Sequence, residues 1–189
     1  MEAFLVSTGI VALAEMGDKT QLLSLVLAAR FRRPVPIILG ILVATLLNHA
    51  LAGAAGAWIT TLLGKDVLRW VVGLSFIAMA AWILVPDELD DDDSVTTHVG
   101  VFGTTVAAFF MAEMGDKTQV ATVALAARFP ELVWVVAGTT LGMMIANVPA
   151  VLFGDVVAKK VPLKLVHTIA AAIFAVLGVL AILNVGEAF

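Results

Sequence analysis

The chain has 189 residues, 61% of them hydrophobic and 14% charged, with a formal net charge of -4 and a mean hydropathy of +1.06. That composition lies outside the range of a water-soluble domain and describes a polytopic membrane protein. Cysteine is absent, which excludes disulfides, thiolate metal sites and thiol nucleophiles, and no basic face suited to nucleic acid is present.

Six apolar segments reach the roughly 20 residues that a membrane-spanning helix needs: residues 4–29, 34–63, 67–85, 99–127, 132–158 and 163–185. The first begins without the basic stretch and small-residue cleavage site of a secretory signal, and its apolar run continues to Ala29, so it reads as a transmembrane helix. In its middle stands the octapeptide Ala-Glu-Met-Gly-Asp-Lys-Thr-Gln, from Ala14 to Gln21. The second segment carries Asn48 and His49 at membrane depth; a hydrogen-bonded core histidine is the plainer reading of His49, a proton relay the sharper one. After the third comes an acidic run, residues 87–93, which holds six of the fifteen acids. It reads as a solvated linker, with a cytoplasmic antenna for divalent cations as the alternative.

The fourth segment repeats the octapeptide from Ala112 to Gln119. The fifth carries Asn147 and a Gly138–Gly142 small-residue step, read as helix packing, with homo-oligomerisation left open. Asp155, near Lys159 and Lys160, reads as an interfacial residue, with a role in cytoplasmic ion access as the alternative. His98 and His167 sit near span ends and carry no functional reading.

At an offset of 98 residues, positions 14–31 match positions 112–129 at 13 of 18 places. The same offset pairs Gly40 with Gly138 and Phe76 with Phe174, and within one residue Asn48 with Asn147. This is a duplication. Three spans per half oblige the second half to enter the bilayer upside down. The expected fold is therefore an all-α membrane protein of six transmembrane helices in two inverted three-helix repeats, residues 1–86 and 99–189, joined by the acidic cytoplasmic linker 87–98. Arg30, Arg32, Arg33, Lys159, Lys160 and Lys164 fall on one side of such an arrangement, and Lys65, Arg69 and Arg128 on the other. The bias puts both termini outside the cytoplasm. Trp58, Trp70, Trp82 and Trp134 lie near span ends, as interfacial anchors do.

The two octapeptides carry the chemistry. Glu15, Asp18, Lys19, Glu113, Asp116 and Lys117 would each cost roughly 2.5 to 3.5 kcal/mol if they faced lipid. They must instead face one another, an ion or a hydrated cavity. Glu and Asp at i and i+3 would share one face of a helix. Gly17 and Gly115 permit local unwinding that frees backbone carbonyls. Thr20, Gln21, Thr118 and Gln119 add neutral oxygens, and Asn48 and Asn147 are near-equivalent amides that complete a coordination shell or bond between helices.

Each motif sums to -1, and the pair to -2, which balances one divalent cation. The oxygen-rich set suits Mn2+, Ca2+ or Mg2+ rather than Zn2+ or Cu+. Met16 and Met114 inside the motifs read as packing, with thioether ligation as the alternative. Four clustered carboxylates in a low-dielectric site cannot all stay ionised once empty. Cation binding is then coupled to proton release at Glu15, Asp18, Glu113 and Asp116, with Lys19 and Lys117 either neutralising the empty site or forming structural ion pairs. An interhelical salt-bridge cluster, a passive cation channel and an intramembrane metal-dependent hydrolase are the competing readings. Against the last, no His-Glu-x-x-His sequence occurs.

On these residues the chain resembles the small cation exchangers defined by two Glu-x-Gly-Asp-(Lys/Arg)-(Thr/Ser) motifs, which include bacterial manganese exporters and Golgi and chloroplast manganese/calcium transporters. Both motifs match at every defined position, and the resemblance covers the whole chain. It implies that Glu15, Asp18, Glu113 and Asp116 bind the transported ion and that Thr20 and Thr118 fill its hydroxyl positions. It further implies a non-enzymatic export of cytosolic Mn2+, or Ca2+ on the same site, in exchange for protons, across a bacterial inner membrane and without a resident cofactor.

Overall fold

The structure is a computed structural model that describes residues 1–85, 100–154 and 163–184. The acidic run 87–93, His98, Asp155, Lys159 and Lys160 lie outside the described residues. Within them are eight α-helices: α1 (Glu2–Glu15), α2 (Lys19–Phe31), α3 (Pro34–Leu62), α4 (Lys65–Trp82), α5 (Gly100–Glu113), α6 (Lys117–Arg128), α7 (Leu132–Phe153) and α8 (Leu163–Ile182). The first and fourth expected spans are thus each two helices rather than one, broken at the octapeptides. By length and composition α3, α7 and the Lys164–Ile182 part of α8 can cross a membrane, and α5 is a shorter apolar helix.

Polar side chains are buried in the bundle beside apolar clusters such as Leu23, Ile37, Ile41 and Phe109, while large apolar side chains also face outward. Glu15, Thr20, Ser24, Asn48, His49, Glu113, Thr118 and Asn147 are buried, while Leu5, Leu47, Leu51, Leu84, Val133 and Val176 are exposed. In water this distribution would be unfavourable; in hydrocarbon it is the stable one. The four tryptophans are exposed as well.

The halves interleave. α1 lies along α7 and α5 along α3, so each motif-bearing helix packs on the long helix of the other half, while α4 pairs with α8. Small residues allow these approaches. A Cβ added to Gly40 would meet Thr105 and the Phe102 carbonyl; one added to Gly138 would meet Ser7 and the Phe4 carbonyl. These contacts recur at the 98-residue spacing, and so do the stacks of Arg30 on Phe31 and Arg128 on Phe129, at 5.6 and 5.1 Å. Phe76 and Phe174, equivalent by the same spacing, touch each other across α4 and α8 with ring centroids 5.9 Å apart. The duplication therefore extends to side-chain contacts, well beyond the octapeptides.

Candidate metal centre

Both octapeptides fold alike. Helix α1 ends at Glu15, Gly17 takes φ 85°, and Asp18, at φ -77° and ψ 167°, precedes α2. Helix α5 ends at Glu113, Gly115 takes φ 77°, and Asp116, at φ -80° and ψ 168°, precedes α6. Only glycine adopts such positive φ without strain, so its placement fixes where each helix breaks. Glu and Asp consequently do not share a continuous helical face. They flank a turn closed by Asp18 N–H to Glu15 O and by Asp116 N–H to Glu113 O, both 3.1 Å.

The glutamine that follows caps each break. Gly17 N–H donates to Gln21 Oε1 at 2.9 Å and Gly115 N–H to Gln119 Oε1 at 2.7 Å. The amide nitrogens reach across to the other half: Gln21 Nε2 donates to Ala146 O on α7, and Gln119 Nε2 to Asn48 Oδ1 on α3. Pro149, inside α7, lacks the N–H that would bond the Ile145 carbonyl, one residue before Ala146. Asn48 Nδ2 donates to Phe110 O, and Asn147 Oδ1 accepts from Ser24. The oxygens of Gln21, Gln119, Asn48 and Asn147 thus each accept a hydrogen bond, and the amide groups tie the breaks to α3 and α7.

The carboxylates converge. Oxygens of Glu15, Glu113 and Asp116 lie within 4.8 Å of one another, and all three residues are buried. A divalent cation with oxygen ligands at about 2.1 to 2.4 Å spans separations up to roughly that value. Thr20 donates to Glu15 Oε2 at 2.5 Å and Thr118 to Glu113 Oε2 at 2.9 Å. The second oxygens, Glu15 Oε1 and Glu113 Oε1, have no hydrogen-bond partner among the described residues. Each glutamate is therefore held by one oxygen and offers the other.

The lysines cross between motifs. Lys19 Nζ lies 3.4 Å from Asp116 Oδ1, and Lys117 Nζ lies 3.4 Å from Asp18 Oδ1. The sequence left open which acids the lysines face; the fold sets each lysine on the aspartate of the other motif. It also places a residue that sequence reasoning passed over, His167 on α8, with Nε2 2.5 Å from the Met16 carbonyl. The one signal for it was a polar side chain within an apolar span. His49 is fully buried beside Asn48, and neither ring nitrogen has a hydrogen-bond partner among the described residues.

Residues 3–91 and 101–188 match the family described as "Divalent cation/proton antiporter GDT1". The chain belongs to this family. Membership makes it a membrane transporter rather than an enzyme, one that exchanges divalent cations for protons. It is 53% identical over 175 residues to the "Putative manganese exporter" of Vibrio cholerae, covering 92% of this chain and 87% of that protein. A GDT1-like protein of Synechocystis is 28% identical over 195 residues, covering 92% of this chain and 93% of that one. GDT1-like protein 3 of Oryza sativa is 26% identical over 200 residues, with 92% and 71% covered. No solved structure matches the chain.

Proposed function

We propose that this GDT1 member exports Mn2+ from the cytoplasm in exchange for protons, through one site shared by both octapeptides. The observation that carries the reading is the convergence of Glu15, Glu113 and Asp116 from two separate helix breaks, each glutamate with one oxygen that has no partner among the described residues. Mn2+ is the first choice because the Vibrio relative is described as a manganese exporter. Hard oxygen donors suit Mn2+ and Ca2+ alike, so the choice between them belongs to the flux measurement.

Asp18 joins the site once Lys117 leaves it, and Thr20 and Thr118 hold the glutamates in register. Gln21, Gln119, Asn48 and Asn147 position the broken helices. Four carboxylates and two lysines leave a charge of -2, which one divalent cation neutralises. On the return leg protons take over that neutralisation, while Lys19 pairs with Asp116 and Lys117 pairs again with Asp18. An empty carrier that stays neutral can reorient through hydrocarbon; one with uncompensated buried charge cannot.

The chain forms six spans, with α1–α2 and α5–α6 counting as one broken span each. They make two inverted repeats, residues 1–86 and 99–189, separated by the acidic linker 87–98. Both termini face away from the cytoplasm in a bacterial inner membrane. This reading draws on the loop-charge bias and on contacts that recur 98 residues apart. Inverted repeats present one midplane site to either side in turn, the geometry that exchange requires.

The test is Mn2+ and Ca2+ flux into proteoliposomes under an imposed pH gradient, with Glu15→Gln and Glu113→Gln variants. Gradient-driven Mn2+ flux abolished by either substitution is the expected result. Flux that ignores the gradient, or that survives both substitutions, would overturn the shared-site exchange. Faster Ca2+ than Mn2+ flux would reassign the cargo.

A further inference from the structure

The two octapeptides are chemically alike but unequally covered. Lys19 keeps 25% of its side chain exposed, whereas Lys117 keeps 2%. Met114 is 57% exposed and Gly115 is exposed with it, while Met16 and Gly17 are half-buried. An exposed ammonium at membrane depth faces water, since contact with lipid costs roughly 3 kcal/mol. Because Lys19 pairs with Asp116, next to Gly115, the second turn is the less covered side of the site. The first turn is the more covered one.

That cover is made by the helix pair that carries no motif residue. The Val85 carbonyl, just beyond α4, accepts from Lys117 Nζ at 3.4 Å. From α8, which packs on α1, His167 places Nε2 against the Met16 carbonyl. A carbonyl only accepts, so the ring nitrogen carries the hydrogen. That carbonyl is available because α1 ends at Glu15 and Met16 turns extended, at ψ 114°. At the position equivalent to His167 in the first half stands Arg69, whose Nη2 pairs instead with Asp66 at 3.4 Å. The clasp is therefore not duplicated with the motifs.

We propose that His167 is a positioning residue of the transport cycle: its bond to the Met16 carbonyl latches the first turn shut, and opening the site toward that side requires its release. The inference rests on the alternating-access reading above. It makes the α4–α8 pair the element whose movement uncovers the first octapeptide, and it makes the state described here the one closed on the Met16 side.

The absence of cysteine permits a direct test that does not depend on flux. Met16→Cys is the reporter, labelled with a small maleimide in proteoliposomes, in combination with His167, His167→Phe or His167→Gln. Phenylalanine keeps the bulk and loses the donor; glutamine places an amide nitrogen near the position of Nε2. The expected result is slow labelling with His167, about five- to tenfold faster labelling with phenylalanine, as loss of one hydrogen bond implies, and return toward the slow rate with glutamine. Met114→Cys should label at one rate in all three backgrounds. Equal Met16→Cys rates across the three, or equal acceleration by phenylalanine and glutamine, would overturn the latch. Acceleration at both reporters would also overturn it, as general loosening. Loss of flux in the glutamate variants counts toward the shared site and leaves this labelling pattern untouched, so the two readings fail separately.

Discussion

Removing one lysine at a time tests whether the crossed ion pairs unite the two motifs. At 3.4 Å a unit-charge pair gains about 5 kcal/mol gross at an effective dielectric constant near 20. For Lys117–Asp18, where each partner keeps 2% exposure, deleting the lysine leaves a buried carboxylate without it, a change that costs about 3 to 5 kcal/mol. For Lys19–Asp116 the ammonium is 25% exposed, and water screens most of the gain. About 1 kcal/mol is expected there. In a chain of this size those losses correspond to melting shifts of about 10 °C for Lys117→Met and about 3 °C for Lys19→Met.

The assay is thermal unfolding of detergent-purified protein in chelator, so that no divalent cation substitutes for the missing lysine. Adding Asp18→Asn to Lys117→Met removes both charges and should recover more than half of the loss, whereas adding Asp116→Asn should not. Equal shifts for the two lysines would refute the inequality of the pairs. A Lys117→Met, Asp18→Asn double variant whose loss is the sum of the single losses would refute the pairing itself.

Gly115→Ala separates backbone strain from packing: a Cβ there meets nothing within 4 Å, yet φ is +77°. It should cost about 1 to 2 kcal/mol and lower transport per folded molecule. Gly138→Ala, whose Cβ would come 2.5 Å from the Phe4 carbonyl, should cost about 1 to 3 kcal/mol and spare the specific activity of the molecules that fold; melting curves with normalised flux distinguish the two. Thr20→Val removes the donor to Glu15 Oε2 and should raise the apparent KM for the cation about tenfold, with Thr20→Ser restoring it, as initial-rate flux will read. Gln119→Leu strips the cap from Gly115 and the bond to Asn48; a stability loss of about 1 to 3 kcal/mol is expected, and a melt unchanged from the parent would contradict the capping role.

The duplication and its six charged residues were legible because charge in an apolar run is costly and therefore conspicuous. The helix breaks were legible in part. Gly17 and Gly115 marked where unwinding could occur, but the i, i+3 spacing still pointed to one helical face, and positive φ at glycine is a tertiary outcome. Composition could count the amide oxygens of Gln21, Gln119, Asn48 and Asn147 without showing that each accepts a capping or interhelical hydrogen bond. His167 was illegible for another reason: it has no equivalent in the first half, and its partner, 151 residues away, is a backbone carbonyl exposed only by the break.

A site in which each lysine paired with the adjacent aspartate of its own octapeptide would be two independent half-sites. Crossing changes the physics. With Lys19 on Asp116 and Lys117 on Asp18, a cation that displaces one lysine from the second motif alters the balance of charge in the first, because the displaced ammonium belongs to the first motif's helix. Moving either helix break strains both pairs at once. On the shared-site reading, a duplicated sequence thereby yields two inequivalent sides, and the difference in burial between Lys19 and Lys117 distinguishes them. Exchange of those two environments, rather than any change in the carboxylates themselves, is the smallest rearrangement that would present the same oxygens to the opposite face.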